Sequence, residues 1–231
     1  MDKKKLVVLT GAGISAESGI STFRDANGLW EGHDVMEVAS IQGWQAKPEL
    51  VLEFYNQRRR QLHEVEPNLG HSILAELEDF FEVHIITQNV DNLHEQAGSS
   101  NIIHLHGELF KVRPSNNDQD IIEWKTDLRL GDTNEKGVQL RPHIVWFGEM
   151  VPLIEMAAQI ASQADYFVVV GTSMAVYPAA GLIDYVQPDR PKFLIDPNIP
   201  SGLGHIPNLN CIEEIGSKGL QELKQILLSQ N

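Results

Sequence analysis

The segment 6–24, LVVLTGAGISAESGISTFR, restricts the fold of this chain more than any other. Leu6, Val7, Val8 and Leu9 follow a basic lead of Lys3, Lys4 and Lys5 and read as a buried strand. The strand turns through Gly11-Ala12-Gly13-Ile14-Ser15-Ala16, which fits the G-x-G-x-x-(G/A) loop that opens a helix and holds a phosphate. In such a loop Gly11 permits the tight turn, Gly13 lets the backbone approach a pyrophosphate, and Ala16 lets helix and strand pack closely. The N–H groups at the helix start then face the anion. Any small-residue turn from strand to helix gives the same pattern, so the loop alone leaves a plain structural reading open.

An ordinary dehydrogenase continues with a second strand that ends in an acidic residue about 20 positions on. Here the region 22–32, with Thr22, Phe23, Arg24 and Trp30, has turn residues, isolated aromatics and no β run. It reads as an ordered loop lying over a ligand.

Further apolar runs predict strands at 83–87, 102–105, 144–147, 166–170 and 193–195, with a weaker one at 210–212. Helical patterns fall at 49–65, 72–80, 153–162, 179–186 and 220–228. Short β runs alternating with helices indicate a doubly wound parallel sheet covered on both faces, an α/β fold. Ligands in such folds sit at the carboxyl ends of the strands, and most of the distinctive short motifs fall there. A chain of 231 residues suffices for one sizeable core, alone or with a small lobe. Eighteen basic against 32 acidic residues give a net charge of −14, which disfavours nucleic acid as a partner and favours cationic protein surfaces. The reading predicts no membrane span and no secretory leader. The single cysteine, Cys211, excludes an internal disulfide and suits a reducing cytoplasm.

After the strand at 83–87 stand Gln88, Asn89, Val90 and Asp91. Amide and carboxylate groups at a strand end can hold a sugar hydroxyl or a carboxamide, and equally can cap the helix that follows. His104 and His106 alternate along the next strand and share a face, so they could meet at a metal, but no cysteine or clear third ligand lies nearby. At a strand end beside the ligand loop, His106 is a candidate general base, since imidazole titrates near pH ~6.5. Tyr55 and Arg58 lie three residues apart on one helix face, where a phenol and a guanidinium suit a carboxylate. A solvated basic face fits them too, because Arg58 opens the run Arg58-Arg59-Arg60.

These motifs together resemble the sirtuins, the NAD-consuming protein-lysine deacylases, over nearly the whole chain. The resemblance rests on GAG-x-S leading to S-G-I and F-R, on T-Q-N-V-D at 87–91, on H-G at 106–107, on R-P with V-W-F-G-E at 141–149, and on G-T-S at 171–173. It implies NAD as a consumed co-substrate, contacted by Gly11, Ala12, Gly13, Ala16, Glu17, Thr22, Phe23, Arg24, Trp30, Gln88, Asn89, Val90 and Asp91. At the other end of the cofactor it implies Gly171, Thr172, Ser173, Asp196, Pro197, Asn198 and Lys218. Asn89 would orient the nicotinamide ribose, Asp91 meet the carboxamide, and His106 take a proton from the ribose hydroxyls. The products would be free lysine, nicotinamide and 2′-O-acyl-ADP-ribose. Acyl-lysine proteins or peptides would be the partners, with the backbone near Val145 pairing with the peptide and Phe147 walling the lysine tunnel. Tyr55 and Arg58 match the Y-x-x-R pair of the group that accepts succinyl- or malonyl-lysine, and Ala39 its small alanine. ADP-ribosyl transfer and a non-catalytic NAD or ADP-ribose sensor are the rival readings.

Two departures stand out. Ser21 and Thr22 replace the common proline and aspartate of the family's S-G-I-P-D-F-R. Where family members typically bind structural zinc through two cysteine pairs, Pro114 and Asn117 occupy the first positions and the second pair is missing. Without thiolates no such site forms, so no zinc is expected. The segment 114–140 should then hold by packing of Ile121, Ile122, Trp124, Leu128 and Leu130. The expected organisation is a large subdomain of approximately 1–30, 67–108 and 143–231, and a small one of 31–66 and 109–142. The oligomeric state is left open, a monomer included.

Overall fold

The protein's structure, a computed structural model, describes residues 3–21, 29–117 and 119–229. Its strands are β1 (Lys5–Thr10), β2 (Leu29–Trp30), β3 (His33–Asp34), β4 (Glu82–Thr87), β5 (Ile102–His104), β6 (Gly107–Pro114), β7 (Ile122–Glu123), β8 (Leu140–Ile144), β9 (Tyr166–Val170), β10 (Lys192–Ile195) and β11 (Leu209–Ile212). The α-helices are α1 (Ala12–Ser15), α2 (Val35–Val38), α3 (Ile41–Ala46), α4 (Pro48–Leu62), α5 (Leu69–Leu77), α6 (Leu93–Gln96), α7 (Ile154–Ser162) and α8 (Gly216–Ser229).

Six strands form a sheet in the order β11-β10-β9-β1-β4-β5, and every neighbouring pair is parallel. The chain winds outward from β1 to β4 and β5, then returns to β9 on the other side. The gap between β1 and β9 is therefore the topological switch point, where such sheets open a crevice at their carboxyl ends. Alternation along β1 explains the two cores. Leu6 and Val8 face α5 and α8 with Leu74, Leu77, Leu220 and Leu223. Val7 and Leu9 face α7 with Ala157 and Ala161, and the 3₁₀ turn Ala179–Tyr185 with Leu182 and Ile183. All these side chains are buried, each contributing about 1.5–3 kcal/mol for the larger aliphatics.

The parallel α/β sheet agrees with the sequence reading, with local differences; one is that the region 22–32, read as free of β structure, holds β2 at Leu29–Trp30, paired with β3. The expected strand 144–147 is not part of this sheet: β8 ends at Ile144 and pairs antiparallel with β6, in a separate three-stranded sheet β7-β6-β8. The run 144–147 is apolar because it packs under α2 and α4, with Ile144 and Trp146 in the same cluster as Val38, Val51 and Tyr55. The expected helix 179–186 is a 3₁₀ turn. Helix α8 begins four positions earlier than expected, because Glu17 caps it from outside: Oε1 accepts from Ser217 N at 2.9 Å and Oε2 from Ser217 Oγ at 2.6 Å.

Packing alone does not hold 114–140. Leu128 is fully buried with Leu52, Val112 and Leu140, and Trp124 lies against them, but Ile121, Ile122 and Leu130 are exposed. Amide side chains do the rest. Asn56 of α4 clamps Leu128 from both sides, its Oδ1 accepting from Leu128 N at 2.8 Å and its Nδ2 donating to Leu128 O at 3.0 Å. Arg59 secures the clamp, Nη1 to Asn56 Oδ1 at 2.8 Å and Nε to Leu109 O at 3.0 Å. Gln139 ties the outer loop, donating to the carbonyls of Arg129, Asp132 and Leu140 and accepting from Gly131 N. Apolar residues at 121, 122 and 130 misled the sequence reading, because hydropathy carries no signal for an amide that satisfies buried backbone. Replacing Asn56 by Ala strands the N–H and carbonyl of Leu128, and urea unfolding is expected to show a loss of about 2–3 kcal/mol. A loss below about 0.5 kcal/mol would show that the clamp is dispensable.

Candidate active site

The loop after β1 crosses the end of β9 in direct backbone contact. Gly11 N donates to Val170 O at 3.0 Å, Gly13 N to Gly171 O at 2.8 Å and Ile14 N back to Gly11 O at 3.2 Å. A Cβ on Gly13 would stand 2.6 Å from Gly171 Cα, and one on Gly171, whose φ is +63°, would strike Gly13 and Ile14. Gly13 therefore serves close approach to a second strand of the chain itself, and these three N–H groups are spent on the protein rather than aimed at an anion. The helix opened by the loop is a single turn, followed by the 3₁₀ turn Ala16–Ser18, which ends at Gly19 in the left-handed region. Ala16 is exposed and Ile14 makes the core contact expected of it. Asn68 braces the turn, Nδ2 reaching Ile14 O at 2.7 Å and Ser18 Oγ at 3.0 Å.

A cavity of about 410 Å³ opens over this crossing. Of the residues singled out from sequence, it is lined by Gly11, Ala12, Gly13, Ala16, Glu17, Trp30, Tyr55, Arg58, Gln88, Asn89, Val90, Asp91, His106, Val145, Phe147, Gly171, Thr172, Ser173, Asp196 and Pro197. Asn198 and Lys218 do not line it: both are exposed, and Asn198 N donates to Asp196 Oδ1 at 2.9 Å in a turn. Gly216 lines it in the place expected for Lys218. Glu17 has both carboxylate oxygens on Ser217, so it fixes that wall. Thr22, Phe23 and Arg24 lie outside the described residues.

Ser15, absent from the expected contacts, is the hub of the polar floor. It is fully buried, accepts from Asn89 Nδ2 at 3.0 Å and donates to Asp91 Oδ2 at 3.0 Å. Asn89 Nδ2 also reaches Gly11 O at 3.1 Å. Burial pushes the Asp91 carboxyl above its ordinary range, against hydrogen bonds from Leu93 N and Ser15 that favour the anion. The serine of GAG-x-S was visible in sequence. What was missing was that the one-turn helix aims it back at the end of β4.

The two histidines do not converge on a metal; each holds one carbonyl of the 88–91 loop. His106 Nδ1 lies 3.0 Å from Gln88 O and His104 Nδ1 3.1 Å from Asn89 O. A carbonyl only accepts, so His106 carries its proton on Nδ1 and Nε2 keeps the lone pair a general base needs. Burial lowers the His106 pKa, opposed by the Gln88 bond, and so favours the neutral base. His104 Nε2 meets Glu95 Oε1 at 2.7 Å. Burial disfavours its charge, but Glu95 and then Glu108 raise its pKa overall. Glu95, His104 and Glu108 are the one group of His, Cys, Asp and Glu among the described residues close enough to share an ion. That group is already neutralised as ion pairs, with Lys111 Nζ 2.6 Å from Glu108 Oε2.

At the far end, α4 presents Tyr55 and Arg58. Tyr55 is fully buried, and its hydroxyl accepts from Trp146 Nε1 at 3.0 Å; burial raises its pKa. The Arg58 guanidinium lies 4.9 Å from the Phe54 ring centroid, and its buried Nε and Nη1 find no acceptor among the described residues. The segment 145–147 is less open than a free strand edge. Val145 N donates to His106 O, Trp146 N to Glu149 Oε2 and Phe147 N to Ala39 O, which leaves Val145 its carbonyl for a peptide. Phe147 is exposed at the mouth.

A family model described as the Sir2 family matches residues 11–178. The chain is 54% identical over 226 residues to an NAD-dependent protein deacylase of Helicobacter pylori, covering 97% of this chain and 98% of that one. It is likewise 54% identical over 231 residues to an NAD-dependent protein deacylase of Bacteroides thetaiotaomicron, covering 97% and 98%. Among solved structures it superposes on a Sir2 homolog–NAD complex with a TM-score of 0.87, 37% identity and coverage of 99% and 91%. It also superposes on a Sir2–p53 peptide–NAD+ complex with a TM-score of 0.78, 27% identity and coverage of 97% and 93%.

Burial of His106 and the carboxylates beside His104 set the order in which the two rings titrate. In an NMR titration of the ring protons, His106 is expected below about 6.5 and His104 above it. The reverse order would contradict the partners assigned to both rings.

Proposed function

This chain belongs to the Sir2 family, and on that premise we propose that it is an NAD-dependent protein deacylase acting on acyl-lysine side chains. The observation that carries the reading is His106: its Nδ1–H is tied to Gln88 O, which leaves Nε2 as a neutral base on the cavity wall beside Asn89 and Asp91. No helix among the described residues is long and apolar enough to cross a membrane.

The donor set fits NAD. Asp196, buried and lining the cavity, suits a ribose diol, and Thr172 and Ser173 extend the polar wall from the end of β9. Both hydrogens of Asn89 Nδ2 are spent on Gly11 O and Ser15 Oγ, so Asn89 offers its side-chain carbonyl and Asp91 its carboxyl to the second ribose and the carboxamide. When bound, NAD supplies an electrophilic ribose carbon and takes up the acyl group, so that nicotinamide, free lysine and 2′-O-acyl-ADP-ribose result. The chain's own part is positional and protolytic. Ser15 keeps Asn89 and Asp91 in register, and His106 Nε2 takes the proton of a ribose hydroxyl. Phe147 and the Val145 carbonyl guide the peptide to the mouth. We assign the work to two lobes, with sheet residues 1–30, 67–108 and 143–231 holding the cofactor and residues 31–66 and 109–142 closing the acyl end.

The acyl group follows from the unpaired donors. Arg58 Nε–H, Arg58 Nη1–H and the Tyr55 hydroxyl lack an acceptor among the described residues; Glu31 acts on the guanidinium through its charge, but no anion is hydrogen-bonded at those two buried nitrogens, which is costly. A succinyl or malonyl carboxylate supplies that anion with a charge-assisted pair; an acetyl group does not. Ala39 lines the same cavity and leaves room for the longer chain.

Mass spectrometry of succinyl- and acetyl-lysine peptides incubated with NAD is expected to show acyl loss with O-acyl-ADP-ribose appearing, and neither with His106→Ala. Unchanged peptides would overturn the reading. Substituting Arg58 by Met should cost succinyl-lysine turnover about 10–100-fold more than acetyl-lysine turnover, corresponding to a charge-assisted bond of about 1.5–3 kcal/mol. Equal losses would refute the carboxylate assignment. Because the base works neutral and its pKa is lowered, kcat/KM should rise with pH to a plateau already reached near pH 7, with the acid limb below about 6.5. A limb centred above 7 would exclude His106 as that base. With amide clamps in place of thiolates, treatment with a zinc chelator should leave the melting temperature unchanged. A drop of several degrees would reveal a structural metal.

A further inference from the structure

We propose that Trp146 is a specificity-positioning residue, its indole N–H fixing the direction in which Tyr55 presents its hydroxyl proton to the acyl group. The inference rests on the acidic-acyl reading of Tyr55 and Arg58.

The argument begins with what each group can do. An indole nitrogen only donates, whereas a phenol both donates and accepts. Trp146 Nε1 lies 3.0 Å from the Tyr55 oxygen, so the tyrosine must accept there. The phenol proton stays near the ring plane and has two orientations. One of them would point at the indole N–H and is repelled. The other is left, and among the described residues nothing accepts that proton. Tyr55 lines the cavity although the protein buries it fully, so the proton is available to a ligand that fills the acyl end.

Such an arrangement works only if the indole itself cannot turn, and it is held in three ways. Its backbone N–H donates to Glu149 Oε2 at 2.7 Å. Glu149 is in turn fixed by Arg141, through Nη1 at 2.8 Å and Nη2 at 3.0 Å, with Arg113 Nη2 at 3.3 Å. The Arg141 guanidinium then lies on the indole face, 3.4 Å from the ring centroid, and Trp44 packs at 5.7 Å. Buried arginines, a carboxylate and two indoles thus converge to hold one phenol proton in place. The one acceptor of an acetyl group is its carbonyl oxygen, which is directed at the ribose, while an acyl chain with a terminal carboxylate brings a further acceptor to that proton. The orientation therefore matters for choice between substrates more than for the common chemistry.

The test is a double-mutant cycle on kcat/KM for succinyl- and acetyl-lysine peptides, with Tyr55→Phe, Trp146→Phe, the double variant and Arg58→Met. Whatever Trp146→Phe costs both substrates, the succinyl-to-acetyl ratio is expected to fall about 3- to 10-fold, mainly through KM, the size of one neutral hydrogen bond. The double variant should show the same ratio as Tyr55→Phe alone, since the indole acts only through the hydroxyl. An unchanged ratio in Trp146→Phe, or ratio losses that multiply in the double variant, would overturn the proposal while a selective loss in Arg58→Met leaves the acidic-acyl reading standing. Equal losses in Arg58→Met would remove that reading and this inference with it. Trp146 is buried, and its replacement could unfold the chain, so a second measurement uses the indole N–H resonances of the four tryptophans. One of them should shift in Tyr55→Phe, and the same one should shift when succinyl-lysine peptide is added, but not with acetyl-lysine peptide. No common responder would overturn the proposal.

Discussion

Everything in this site is referred to one contact, the crossing of the β1 loop over the end of β9 through Gly13 and Gly171. Two backbones meet there with no room for a Cβ on either side. The parallel ladder of β1 with β9 runs from Leu6–Tyr166 to Thr10–Val170, and the Gly13 N–H to Gly171 carbonyl bond carries that contact past the strand ends into the loop. Ser15 is then two residues from the crossing and aimed at Asn89 and Asp91, while Thr172 and Ser173 stand directly beyond it. The cavity floor is thus built from main chain, with a few short polar side chains set into it.

Around that floor the protein ties its polar side chains to its own backbone and hydroxyls, and at the far end it leaves guanidinium N–H groups without an acceptor among the described residues. His104 and His106 each give a ring N–H to a carbonyl of the adjacent loop, so the imidazole that stays free on one side has a fixed tautomer. Asp91 is held by a hydroxyl and an amide in a setting that resists its ionisation. Arg58 is the contrast: half-buried, stacked on Phe54, with two N–H groups lacking an acceptor among the described residues.

Much of this was legible in the sequence. Periodicity gave the parallel sheet, and the residues after each strand gave most of the cavity wall, because α/β sheets collect ligands at that edge. What failed did so for physical reasons. The run 144–147 is apolar and short like a strand, yet it is buried under helices rather than laddered, a distinction that hydropathy does not make. Gly13 fits a pattern written for pyrophosphate, while its nearest neighbour is another glycine of the same chain. Lys218 was implied by the family resemblance, but the cap from Glu17 brings Gly216 to the wall and the lysine is exposed. Long-range side-chain to backbone pairs, Asn56 with Leu128 above all, leave no periodic trace.

Helix α4 carries two unrelated duties on adjacent positions. Tyr55 and Arg58 look into the cavity, while Asn56 and Arg59, each the next residue along, clamp the outer segment 114–140. A tie made within a loop can be strengthened or lost without touching the rest of a protein; a clamp built on a helix that also lines the cavity cannot. In this chain the heritable unit is therefore the whole turn of α4. Drift in the outer loop is filtered by Asn56 and Arg59, the immediate neighbours of the residues proposed to sort acyl groups, so on that proposal the peripheral lobe and the choice of substrate change together.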